Sequence, residues 1–309
     1  VNLFKERIES RADWGGVFRS VQAFSPLVEY ILNKENLPSE KIETLTPGTN
    51  AVFRSGEYVI KIFAPAESGL DQTDDLKTEL FALKRANETG VAAPKLVASG
   101  VVEDKYRFAY MITEYIEGAE FSEAVKSMSG EEKIAAARRL RTATDKMNTP
   151  CKPFNGIDVI NDKGRYRRWD KRYSDKFKAE RLEYIKSRNF GEKVFCHGDL
   201  CGDNILLTPQ GELCIIDFAD AVLAPPVYEH ALVAIELFEL DPALLRGYFG
   251  GISAGELTKI CFDGLLLHDF GGDIVAEHIG KPADFLNLKA LRNRLERKIE
   301  LALRSHTDA

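Results

Sequence analysis

Two periodicities divide this chain into consecutive stretches. Between residues 42 and 114 the apolar residues fall in short strand-like runs, and beyond Gly118 they recur mainly at helical spacing. The segment "IETLTPGTNAVFRSGEYVIKIFAP" (42–65) reads as two or three antiparallel strands, broken by turn signals at Pro47–Gly48 and Ser55–Gly56. "APKLVASGVVEDKYRFAYMITEYI" (93–116) supplies two further strands around the charged turn Glu103–Asp104–Lys105. Between them, "DDLKTELFALKRANETG" predicts an amphipathic helix with Leu76, Leu80, Leu83 and Ala86 on one face and Gly90 closing it. Residues 1–40 predict a helical extension, with Leu27, Val28, Ile31 and Leu32 as its apolar positions and Pro38 ending it. The expectation is an α+β chain in two lobes. A small antiparallel sheet with one key helix fills residues 1–115, including the extension 1–40, and a larger, mainly helical lobe fills 116–309. Two such lobes leave a cleft between them.

In the second stretch, "EEKIAAARRLRTATDKM" predicts one helix and residues 165–188 another, with Tyr166, Trp169, Tyr173 and Phe177 on one face. That second helix is locally basic, which reads as a solvated face or as contact with an anionic ligand. Residues 227–303 predict several more helices.

Composition narrows the partners. At 309 residues, 44% hydrophobic and 29% charged, the chain can build a core and is not a disordered polyelectrolyte. A net charge of −6 disfavours a general nucleic-acid binder. The charged start "VNLFKERIES" lacks the apolar core of a signal peptide, and runs such as "ALVAI" and "GLLL" are far too short to span a membrane. Five scattered cysteines read as reduced thiols in a cytoplasmic protein, and Cys196, Cys201 and Cys214 match no zinc spacing.

The chemistry concentrates in "HGDLCGDN" (197–204) and "IIDFAD" (215–220), each following an apolar strand-like stretch, "EKVFC" and "ELCI". A strand–turn–strand hairpin is expected to bring Asp199, Asn204 and Asp217 to one end of a single ladder. Asn204 and Asp217 offer hard oxygen ligands of the kind Mg²⁺ takes sparingly, completing its shell with substrate phosphates. Asp199 is then placed to accept a proton from an attacking hydroxyl. His197 reads as an architectural residue that fixes the loop. Protein kinases space their catalytic Asp, Mg-binding Asn and Mg-binding Asp as H-R-D-L-x-x-x-N followed by D-F-G. Here Gly198 stands for the Arg, and "DFAD" stands for the D-F-G.

The first stretch supplies the complement. Lys61 lies in the strand "VIKIF", and Glu79 lies on the following helix. A strand Lys on triphosphate oxygens, steadied by a helix Glu, is the kinase arrangement. The alternatives are an ordinary edge-strand lysine and a surface helix acid. "TPGTNAVFRSG" is not G-x-G-x-x-G, yet Gly48, Thr49 and Asn50 at its bend can cradle phosphate through backbone N–H groups and side-chain donors. "MITEYIEG" suits a hinge in which main-chain groups of Glu114 and Ile116 pair with adenine.

With these motifs the sequence resembles the aminoglycoside phosphotransferase family, kin to choline kinases and protein kinases, over residues 42–280. The resemblance implies a bilobal protein-kinase-like fold. It also implies Mg²⁺-dependent transfer of the γ-phosphate of ATP or GTP to a hydroxyl of a small molecule, an aminoglycoside in the first instance, and hence antibiotic resistance. "VIKIF", "HGDLCGDNI", "DFADA" and "LLHDF" (266–270) make it most similar to the hygromycin-type members. There are departures. "DKMN" occupies the place of the usual Leu-His before the catalytic region, and "APPVYEH" replaces a Gly-Asp-Pro stretch. Both are expected near the acceptor side, where they bear on substrate identity. No A-P-E segment follows Asp217, which disfavours a protein substrate.

Acids in the second stretch suit a cationic acceptor. Asp220, Glu229 and Asp269 are the candidates; for Glu229 the competing reading is a brace under the catalytic loop, and Asp263 reads as solvated surface. Asp269 is expected inside the apolar helix "CFDGLLLHDF". Two other functions compete with an aminoglycoside kinase. One is a kinase for a metabolite such as an amino alcohol or a sugar. The other is a catalytically silent binding module, disfavoured because Lys61, Asp199 and Asp217 are all present.

Overall fold

The computed structural model describes residues 2–45, 48–70, 72–161, 169 and 172–304. Pro47 of the first expected turn, and residues 165–168 (with Tyr166), 170 and 171 of the expected basic helix, lie outside the described residues. The chain divides into two compact units, one of residues 1–88 and 93–117, the other of 89–92 and 118–309.

The first unit begins with α1 (Arg11–Val17) and α2 (Val21–Lys34), capped by the hydroxyls of Ser10 and Ser20. The extension is therefore two helices rather than one. α2 stops where Asn36 takes a left-handed φ of 57°, ahead of Pro38. A five-stranded antiparallel sheet follows: β1 (Ile42–Thr44), β2 (Ala51–Ser55), β3 (Tyr58–Ile62), β4 (Leu96–Glu103) and β5 (Arg107–Glu114), in spatial order β1-β2-β3-β5-β4. Gly56, with φ 58°, makes the two-residue β2–β3 loop that the Ser55–Gly56 signal announced.

Cross-strand register sorts the sheet into two faces. Phe53, Ile60 and Ile112 are partners on one face and join Phe4, Trp14, Phe24, Leu27, Val28 and Ile31 of the extension in one core. Val52, Lys61 and Met111 are partners on the other face, because side chains alternate along a strand. α3 (Thr73–Glu88) carries the residue that meets Lys61. Its inner face is rotated from the expected one. Thr78, Glu79, Ala82, Leu83 and Ala86 are buried, while Leu76 and Leu80 are only half-buried.

The second unit is mainly helical, with two small sheets. In chain order come β6 (Ala119–Glu120), α4 (Phe121–Ala124), α5 (Gly130–Met147), α6 (Asp175–Ser187), β7 (Val194–Cys196), β8 (Ile205–Leu207), β9 (Leu213–Ile215) and β10 (Val222–Ala224). Then follow α7 (Val227–Leu232), α8 (Pro242–Phe249), α9 (Ala254–Leu267), α10 (Gly271–Ile274) and α11 (Leu288–Arg304). π-helical turns extend α7 through Val233–Leu237 and α10 through Val275–Ile279. The sheets pair as β6-β8-β9 and β10-β7. The described part of the expected helix 165–188 is broken ahead of α6, which starts at Asp175, where the Ser174 hydroxyl caps it by accepting from the Phe177 N–H. Tyr173 precedes the helix, yet Trp169, Tyr173 and Phe177 still pack ring on ring. α9 lies so close to α7 that a Cβ on Gly264 would collide with the Val227 carbonyl oxygen. Among the described residues no helix is long and apolar enough to cross a membrane.

Candidate active site

In the first unit, Lys61 and Glu79 are 6% and 3% exposed, and the Lys61 Nζ lies 3.0 Å from Oε1 and 2.8 Å from Oε2 of Glu79. A buried ammonium needs such a partner, since an isolated charge is costly to desolvate. Strand alternation aims Lys61 away from the extension, and helix rotation turns Glu79 inward. Gly48 and Thr49 are exposed at the bend before β2, and Asn50 is buried with its amide Oδ1 lacking a hydrogen-bond partner. The Thr49 carbonyl accepts from the Trp14 indole N–H at 2.9 Å. Glu114 closes β5, and its N–H donates to the Lys95 carbonyl at 3.0 Å. Ile116, the other expected hinge residue, is half-buried.

In the second unit the motif residues come from two sheets rather than one ladder. β8 and β9 form the hairpin, and the Ile216 N–H donates to the Asn204 carbonyl at 3.0 Å, extending the ladder past Ile205↔Ile215. Asn204 and Asp217 therefore flank the same end of that hairpin. Asp199 arrives on the loop leaving β7, whose partner is β10. It reaches the pair because the Asn204 amide Nδ2 donates to the Asp199 carbonyl at 2.8 Å and to its Oδ2 at 3.2 Å. With its nitrogen so committed, Asn204 has its amide oxygen as the lone-pair donor. Asp217 has φ 58°, a left-handed conformation that Asp tolerates better than most residues with a Cβ.

His197 ties the two sheets together. It is fully buried, its Nδ1 accepts from the Asp199 N–H at 3.3 Å, and its Nε2 meets the Ile216 carbonyl at 2.9 Å. That pattern requires the proton on Nε2 and occupies both nitrogens, so the ring holds the residues on either side of the site. It also packs on Phe218, with centroids 4.7 Å apart. Gly198 has φ 86°, and a Cβ there would collide with the Asp220 carbonyl oxygen. The loop thus needs glycine where protein kinases carry Arg.

Glu229 holds the loop from beneath. It is 0% exposed and accepts from the backbone N–H groups of His197 (2.9 Å) and Gly198 (3.3 Å) and from the Asn148 amide (3.0 Å). Burial pushes its carboxyl up to about 7, against those donors, which favour the charged form. The two departures noted in the sequence therefore meet beneath the loop. Asn148 belongs to "DKMN", also donates to the Phe195 carbonyl at 3.0 Å, and binds the Glu229 of "APPVYEH".

The remaining acids separate. Asp220 is exposed, with its carbonyl against Gly198. Asp269 lies beyond α9, which ends at Leu267, so it is not inside an apolar helix; its N–H donates to the Tyr228 hydroxyl at 3.3 Å. Asp263 is buried rather than solvated, receiving the Tyr184 hydroxyl at 2.6 Å and Lys259 at 3.0 Å. Sequence reasoning missed Glu236. Its carboxyl is raised to about 7, first by burial and then by repulsion from Asp199, Glu277 and Asp203. It hides in an apolar run, "ALVAIELFEL", and no local signal marked it. Among the described residues, no group of three or more His, Cys, Asp or Glu side chains could hold a metal.

This architecture is shared with known proteins. The profile of the phosphotransferase enzyme family (APH) matches residues 46–259, and the chain belongs to that family. It is a phosphotransferase with an α+β, kinase-like fold. Solved structures agree on the fold. One is a GDP complex of an aminoglycoside 2′-phosphotransferase-IIIa point mutant (16% identity, 90% of this chain and 94% of that one, TM-score 0.58). Another is an aminoglycoside phosphotransferase from Alicyclobacillus acidocaldarius (19%, 91% and 96%, TM-score 0.55). A third is the choline kinase LicA from Streptococcus pneumoniae (16%, 91% and 99%, TM-score 0.54). No curated protein matches the sequence.

Proposed function

We propose that this enzyme transfers the γ-phosphate of ATP or GTP to a hydroxyl of a small cationic molecule, with an aminoglycoside as the acceptor. Lys61, held by Glu79, positions the phosphate oxygens. Asn204 and Asp217 would hold Mg²⁺, since an amide oxygen and a carboxylate are a hard donor pair that leaves room for phosphate ligands. The metal supplies neutralisation of charge on the transferring group. Asp199 orients the acceptor hydroxyl and takes its proton, while the Asn204 amide fixes the Asp199 carboxylate. The observation that carries the reading is the bond from the Asn204 amide to Asp199, which joins a general base to a metal ligand. The repulsion that Asp199, Glu277 and Asp203 exert on Glu236 supports a cationic acceptor, because an amine relieves it. Asp220 and Asp269 add further negative charge on the acceptor side. A cytoplasmic enzyme that inactivates an antibiotic follows from that substrate.

A second reading, an amino-alcohol kinase, is supported by the choline kinase LicA at a TM-score of 0.54. Incubating the enzyme and Mg²⁺ with ATP or GTP and a panel of hygromycin, other aminocyclitols, choline, ethanolamine and neutral polyols separates the two. Phosphorylated aminocyclitols support the first reading. Phosphorylated choline or ethanolamine alone supports the second, and phosphorylation of neutral polyols alone defeats both.

A further inference from the structure

We infer that Trp14 is a positioning residue for the nucleotide loop, acting from the helical extension outside the residues that define the family. The inference rests on the reading that Gly48–Asn50 meets the phosphates.

Trp14 sits in α1, ahead of the family match at 46–259. Its ring is 2% exposed, stacked on Phe18 at 5.9 Å and edge-on to Phe24 at 5.9 Å. Those contacts need only an aromatic ring, and phenylalanine would satisfy them. What only tryptophan supplies is a buried indole N–H, which must find an acceptor. The acceptor is the backbone carbonyl of Thr49, 2.9 Å away. A trans peptide is planar, and its C=O and N–H point in opposite directions. Drawing the Thr49 carbonyl inward onto Trp14 therefore turns the Asn50 N–H away from the extension. One side-chain donor sets the direction of a backbone donor in the loop. Gln72 adds a second tie, its Nε2 reaching the Thr49 hydroxyl at 3.5 Å while its Oε1 accepts from the Ala64 N–H at 2.6 Å. Gln72 lies immediately before α3, the helix of Glu79. The loop keeps Gly48 but not the full G-x-G-x-x-G set that usually shapes such a cradle, and the extension supplies a constraint from outside.

The effect belongs to the phosphates and not to the base or the acceptor. Trp14→Phe keeps the packed ring and removes the N–H. Losing one hydrogen bond of ordinary strength predicts a rise of about 3–10-fold in Kd for Mg–ATP or Mg–GTP. The Kd of the bare nucleoside and the acceptor KM stay unchanged. A purely structural role would move all of these together, or only the melting temperature. A second measurement needs no substitution at Trp14. The chain has two tryptophans, so a ¹⁵N-labelled protein gives two indole N–H resonances, assigned with Trp169→Phe. Saturating Mg–ATP or Mg–GTP should shift the Trp14 indole resonance, and adenosine or guanosine should not. A Trp14 resonance indifferent to bound Mg–nucleotide, or a folded Trp14→Phe with wild-type Kd, overturns the inference and leaves the phosphotransferase reading standing. Failure of the wild-type protein to bind either nucleotide overturns that reading, and this inference with it.

Discussion

The two clusters of candidate catalytic residues are held in place by opposite means. In the first unit, Lys61 and Glu79 hold each other, a side-chain ion pair between β3 and α3 that is almost sealed from water. In the second, the loop that carries Asp199 is held through its backbone. Glu229 gathers the His197 and Gly198 N–H groups, and His197 links the Asp199 N–H to the Ile216 carbonyl. A sealed pair is intolerant, because removing one partner strands the other's charge. A backbone-tethered loop is tolerant of side-chain change at its tip, because the tethers lie beneath the residues that act. The first cluster should therefore couple activity to stability, and the second should separate them.

The largest expected effect tests that separation. Asp199→Asn keeps the shape and removes the basicity, so turnover should fall by roughly 10²–10⁴-fold, with the melting temperature and nucleotide Kd nearly unchanged. A large loss of thermal stability in this variant would break the comparison.

Next comes the coupled cluster. Glu79→Ala or Lys61→Ala should each cost about 3–5 kcal/mol in denaturant titrations, and the paired change Lys61→Met with Glu79→Leu should recover much of it. For activity the order differs. Lys61→Ala should damage turnover more than Glu79→Ala, since Glu79 acts through Lys61. Additive stability losses in the pair would show that the two residues do not share an interaction.

A smaller effect comes from the brace. The carboxyl of Glu229, raised to about 7 by burial, is protonated as pH falls, and a protonated acid holds backbone donors less well. Turnover should decline below about pH 7 with a limb that Glu229→Gln lacks, and that variant should be slower throughout the range with little change in nucleotide KM. An identical acid limb in Glu229→Gln would assign it to another group.

The smallest effect is on stability. Glu236 has its folded value raised to about 7 from an ordinary 4.5, so its stabilising contribution is full below about 4.5 and is lost as pH rises through about 7. Glu236→Gln should match wild type in melting temperature at pH 4.5 and exceed it modestly at pH 8. A difference of the same size at both pH values would mean that charge is not the cause.

What the sequence made legible follows the same division. "HGDLCGDN" and "IIDFAD" could be placed together because their candidate residues sit at fixed local intervals beside a short hairpin, and the β8–β9 pairing preserves those intervals in space. Lys61 could be read because strand alternation sets it apart from Ile60 and Ile62. The supports were not legible in the same way. Glu229 meets His197 across 32 residues and Asn148 across 81, and no local period encodes such contacts. Asp263 looked solvated because its charge was visible and its Tyr184 partner, 79 residues away, was not. The break ahead of α6 was not legible because the aromatic stripe of Trp169, Tyr173 and Phe177 keeps helical spacing across the Ser174 cap.

The most direct test of the account is Mg²⁺-dependent nucleotide binding and phosphoryl transfer by Asp217→Ala, followed by calorimetry and with radiolabelled γ-phosphate. Asp217 is half-buried at the hairpin end and has no part in the core, so the variant should unfold at close to the wild-type temperature. It should lose the Mg²⁺-dependent component of nucleotide affinity and all detectable transfer to any acceptor. A folded Asp217→Ala with wild-type Mg²⁺ dependence and turnover would contradict the assignment of this loop and hairpin as the catalytic centre.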